Sequence, residues 1–120
     1  MKEINNIKIA LYFSLYEFQC PCCKSVMLSP DLLTGLNRLR LRINRPIYIN
    51  SGYRCNKENL KVGGVINSYH RFGMAADIRV KDLFPEDLAI YALSIGFGGI
   101  GTYKNFLHLD VRTTKYQWKG

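Results

Sequence analysis

The sequence predicts an α+β fold: one small domain in which an antiparallel sheet is flanked by helices. Three observations predict it. Two segments repeat apolar residues at helical spacing, one through Leu32, Leu33, Leu36, Leu39 and Ile43 and one over residues 85–95. Four short segments, near 46–50, 75–80, 99–103 and 106–112, are apolar or alternate with period two. The chain has 120 residues, which suits a single domain over 1–120, and its 48% hydrophobic and 12% aromatic content is enough for a packed core. No internal repeat, low-complexity tract or linker interrupts it.

Each element has a local cause. Ser14 followed three residues later by Glu17 reads as a capping box, so a short helical turn is expected there. Ser29 as N-cap and Pro30 at the first helical position open the longer helix, which buries its leucine face. Residues 46–50 form a strand leading into the turn Ser51-Gly52-Tyr53-Arg54. Residues 55–76 read as mostly loop with a brief helical turn, given freedom by Gly63, Gly64 and Gly73. In 75–80, Ala76, Ile78 and Val80 fall on one face and Ala75, Asp77 and Arg79 on the other. The second helix starts at Pro85 and stops at Gly96. In the final pair of strands, Leu107, Leu109 and Val111 turn to the core, which leaves Phe106, His108, Asp110 and Arg112 on the opposite face.

The formal net charge of +8 implies attraction to polyanions: nucleic acid, anionic lipid or an anionic cell wall. Arg38, Arg40, Arg42 and Arg45 fan around a helix and read as a solvated face. Without a nucleic-acid motif or aromatics interleaved with the basic run, nucleic acid is not expected as a partner. No apolar run reaches the roughly 20 residues of a membrane span. Residues 1–6 lack the features of a secretory signal. The expectation is a monomer made in a cytoplasm.

His70 and His108 are the two histidines of the chain. His70 precedes Asp77 by seven residues in Ser68-Tyr69-His70-Arg71-Phe72-Gly73-Met74-Ala75-Ala76-Asp77, and His108 stands in His108-Leu109-Asp110-Val111-Arg112. Either histidine alone would be an ordinary loop or strand residue. Together with Asp77 they form a two-nitrogen, one-oxygen set of the kind zinc accepts at roughly 2.0–2.2 Å, with a fourth coordination position open.

These motifs, with Ser51-Gly52-Tyr53-Arg54 and Val62-Gly63-Gly64 upstream, resemble the zinc D-Ala-D-Ala carboxypeptidase family of peptidoglycan peptidases over residues 28–112. That family shares its fold and metal site with lysostaphin-type enzymes and the hedgehog signalling domain. The resemblance implies zinc held by His70, Asp77 and His108 on the sheet. Arg54 would then hold a substrate carboxylate or polarise the scissile carbonyl, and Tyr53 and Ser68 would be supporting substrate contacts. It also implies hydrolysis of a peptide bond in a peptidoglycan stem peptide or cross-bridge, one involving a D-amino acid. With no export signal, such an enzyme would reach the wall through a phage, as an endolysin or a tail-associated hydrolase.

One position departs from the family. Many members of the wider family carry an acidic residue three before the last zinc histidine, or a histidine two before it, as general base; here these are Asn105 and Phe106, which cannot take a proton at neutral pH. Asp110, two along the strand from His108, is then either the base or a carboxylate that orients His108. The rival to an active enzyme is a wall-binding module that keeps zinc for stability. Cys20, Cys22, Cys23 and Cys55 leave three readings open: a thiolate metal site, disulfides formed after release, or reduced thiols.

Overall fold

The computed structural model describes residues 4–120; Met1–Glu3, part of the segment read for an export signal, lie outside the described residues. A small hairpin of β1 (Lys8–Ala10) and β2 (Phe13–Ser14) leads into a 3₁₀ turn, Leu15–Phe18. The expected capping box forms there, with the Ser14 N–H donating to Glu17 Oε2 at 2.6 Å. Helix α1 (Pro30–Ile43) buries Leu32, Leu36 and Leu39. Ser29 caps it through its backbone alone, its carbonyl accepting the Leu33 N–H at 3.1 Å. Then follow β3 (Tyr48–Ser51), α2 (Asn56–Lys61), a 3₁₀ turn Tyr69–Phe72, β4 (Ala75–Arg79), α3 (Pro85–Ile95), β5 (Gly99–Thr102), β6 (Leu107–Asp110) and β7 (Tyr116–Lys119).

The five-stranded sheet runs β3-β4-β6-β5-β7. Its first three pairings are antiparallel, as expected, but β7 joins β5 in parallel as an edge strand that the sequence reading did not contain. Three further differences are local. Residues 55–76 hold a six-residue helix and a 3₁₀ turn rather than mostly loop. The hairpin β1–β2 was not anticipated. The last core strand stops at Asp110, two residues early, because the Asp110 side chain accepts the Arg112 N–H and turns the chain out of the ladder. None of the helices among the described residues is long and apolar enough to cross a membrane.

One face of the sheet makes the core. Ala76 and Ile78 of β4, Ile100 of β5 and Leu107 and Leu109 of β6 pack with the buried residues of α1 and with Leu88 and Ala92 of α3. Period-two alternation then forces Asp77, His108 and Asp110 onto the other face. Register finishes the job: Asp77 lies directly opposite His108, and Ala75 opposite Asp110.

Candidate metal centre

His70 reaches this face from the 3₁₀ turn Tyr69–Phe72, whose first N–H groups include one that donates to Ser68 Oγ at 3.2 Å. Its Nδ1 lies 2.8 Å from the Gly52 carbonyl oxygen. A carbonyl only accepts, so the ring proton sits on Nδ1 and Nε2 is left with its lone pair. That Nε2 faces Asp77 Oδ1 at 3.1 Å. His108 repeats the logic with its nitrogens exchanged. Nε2 donates to Asp110 Oδ2 at 2.8 Å, and Nδ1 faces the same Asp77 Oδ1 at 3.0 Å.

Two imidazole lone pairs and a carboxylate oxygen therefore converge on one point, all within 4.8 Å of one another. Three acceptors facing each other repel unless a proton or a cation lies between them. Tetrahedral ligation at 2.0–2.2 Å would set ligand atoms about 3.3–3.6 Å apart, so the 3.0–3.1 Å contacts need only a slight expansion to admit zinc. The residues fit the ion.

Two arginines that also line the cleft support the cluster. Arg54 donates to Asp77 Oδ2 and to Ser51 Oγ, both at 3.0 Å. Arg112 forks onto Asp110, Nε to Oδ1 at 2.9 Å and a terminal nitrogen to Oδ2 at 2.7 Å. Burial opposes the Asp77 charge, but with no cation in the gap a proton on His108 or His70 bridges to it, and this more than reverses the burial and holds the carboxyl well below the usual range. Burial also opposes the Asp110 charge, and Arg112 and His108 overcome it in the same way. For His108, burial disfavours the cation while Asp110 and Asp77 favour it and win, so its pKa is raised.

The cluster lines a cleft of about 630 Å³, and a family model for Peptidase M15 matches residues 11–110. The chain belongs to the M15 peptidase family. The peptidoglycan L,D-endopeptidase MepK of Escherichia coli K12 is 31% identical to it over 98 residues, covering 74% of this chain and 54% of that protein. MepK of Shigella flexneri matches to the same extent. The chain thus spans about half the length of these curated relatives. The match starts earlier than the motif series had suggested, at residue 11 rather than 28.

In this M15 peptidase, Arg54, Ser68, His70, Asp77 and His108 all border the cleft, whereas Tyr53 and Asp110 do not. Tyr53 is half-buried and its N–H donates to the Phe18 carbonyl at 2.8 Å. Asp110 is fully buried behind His108. Of the two positions at which the resemblance placed a base, Asn105 borders a different concavity, with Ile78 and Leu88, and Phe106 enters the cleft wall stacked on Tyr103 at 4.5 Å. Among the residues lining the cleft, Asp77 is the sole carboxylate.

The sequence reading missed Trp118. From β7 its ring lies 5.1 Å from that of His108, and its Nε1–H donates to Tyr103 Oη at 2.9 Å. It fits because β5 presents Gly99 and Gly101 on this face: a Cβ on Gly101 would meet the indole, and one on Gly99 would meet the Asp110 carboxylate. Glycines two apart in a strand mark one face as bare, which was the available signal.

Proposed function

We propose that this chain is a zinc-dependent peptidase that hydrolyses a peptide bond in bacterial peptidoglycan, in the stem peptide or the cross-bridge. The observation that carries the reading is the convergence of His70 Nε2, His108 Nδ1 and Asp77 Oδ1 as three acceptors at the floor of an open cleft. A zinc ion bound there supplies Lewis acidity and makes water a nucleophile near neutral pH. The protein's residues do the rest. Gly52 and Asp110 fix the two imidazole tautomers. Arg54 holds Asp77 in place and presents the rest of its guanidinium to the cleft, where a substrate carboxylate or a polarised carbonyl oxygen would bind. Trp118, Tyr103 and Phe106 form an apolar wall against which a stem peptide can lie. The name of the curated relatives supports a bond between an L- and a D-centre, hence a D-amino acid in the substrate.

Purified sacculi digested with the zinc-loaded protein and analysed by mass spectrometry should yield muropeptides with new termini at one type of bond, and His70→Ala or His108→Ala should abolish them. A second reading is favoured by one observation, that no carboxylate other than the ligand Asp77 lines the cleft. It makes the chain a zinc-stabilised wall-binding module with little turnover. Sacculi that bind the zinc-loaded protein yet release no new termini would select it.

A further inference from the structure

Away from the cleft, the four cysteines meet. Cys20 and Cys22 Sγ lie 3.6 Å apart, Cys20 and Cys55 3.6 Å, and Cys22 and Cys55 3.2 Å. Cys23 completes the set, with all four sulfurs within 4.8 Å of one another and none in a disulfide. Four thiolates around zinc at about 2.3 Å would stand about 3.8 Å apart, close to what is seen. We propose that Cys20, Cys22, Cys23 and Cys55 form a second, closed zinc site, structural rather than catalytic because all four positions are taken by protein.

The backbone is shaped for it. The Cys20 N–H donates to the Ser25 carbonyl and the Lys24 N–H to the Cys20 carbonyl, both at 2.8 Å, and Lys24 takes a left-handed φ of 61°. This tight turn returns Cys22 and Cys23 toward Cys20. Backbone N–H groups also point at sulfur: that of Cys55 at Cys20 Sγ, 3.5 Å, and that of Glu58 at Cys55 Sγ, 3.4 Å. Such donors favour thiolates. Sulfurs this close cannot all ionise without a cation among them.

The location explains a use. Cys55 directly follows Arg54 and N-caps α2, and Cys20 follows the 3₁₀ turn Leu15–Phe18. The Tyr53 N–H already donates to the Phe18 carbonyl, so the two segments abut. A zinc ion joining them would fix the turn that supplies both Arg54 and the Gly52 carbonyl to the catalytic cluster.

The test is a metal count by plasma mass spectrometry on protein purified reduced and without chelators, paired with cobalt substitution. Two zinc ions per chain are expected in the wild type, one in His70→Ala/His108→Ala, and one in Cys23→Ser/Cys55→Ser. Cobalt added to the metal-free His70→Ala/His108→Ala protein, which keeps every cysteine, should give intense near-ultraviolet sulfur-to-cobalt charge transfer. No zinc in the His70→Ala/His108→Ala protein, an undiminished zinc count in Cys23→Ser/Cys55→Ser, iron in place of zinc at the cysteines, a mass lowered by disulfide formation in reduced protein, or no charge-transfer band in the histidine variant would each overturn the site.

Discussion

Asp110 is the residue whose role the geometry constrains most. Both of its oxygens are engaged, by Arg112 on one side and by His108 Nε2 on the other, and it has no exposed surface. A carboxylate so placed acts through the ring it holds. Asp110→Asn is therefore expected to weaken zinc binding by about 10–100-fold and to regain most of its rate in excess zinc. A loss of roughly 10²–10⁴-fold at full zinc occupancy would instead identify Asp110 as the proton acceptor, so turnover measured across a zinc titration decides. Arg54 differs because it touches both Asp77 and the cleft. Arg54→Lys keeps the charge but cannot reach Asp77 and Ser51 together with one planar fork. Activity on sacculi is expected to fall while the melting temperature stays near that of the wild type; an unfolded variant would make the residue structural.

Strand β5 shows how an element with little chemistry of its own sets the site. Gly99 pairs with Asp110 and Gly101 with His108, and the absent side chains make room for the carboxylate and for Trp118. Gly99→Ala should therefore drive Asp110 out of position and cost about 1–3 kcal/mol, read by denaturant unfolding of the metal-free protein. An unchanged midpoint would mean that the strand yields. The same strands show what could be read in advance. Helices α1 and α3 and strands β4 to β6 were legible because each buries a face, and burial imposes a period on the sequence; β3 was legible from its apolar run, of which Ile49 packs against the core. β7 was not, since Tyr116, Gln117 and Lys119 are exposed on an edge and carry no core signal. The β1–β2 hairpin, of three and two residues, is too short for alternation to register.

Across the molecule, the cluster of His70, Asp77 and His108 that could hold a metal was legible from its motifs, and sheet register brings Asp77 opposite His108. What could not be read were contacts that depend on tertiary closure, such as Trp118 on His108 and the meeting of Cys55 with a cysteine cluster 32 to 35 residues earlier. Net charge is the property that belongs to no single residue. At +8, with Arg38, Arg42 and Arg45 exposed, the protein should be drawn to an anionic wall over distances set by the Debye length, about 10 Å at 0.1 M salt and about 3 Å at 1 M. The cleft works at contact distances that salt screens far less. Raising salt from 0.05 to 0.5 M is therefore expected to weaken binding to intact sacculi by about tenfold or more. Hydrolysis of a small soluble muropeptide should change by less than about twofold, because its reaction depends on the buried Asp77–Arg54 and Asp110–Arg112 pairs. Equal salt sensitivity on both substrates would move the electrostatic contribution from the surface into the cleft, and no sensitivity on either would leave the positive charge without a part in finding the wall.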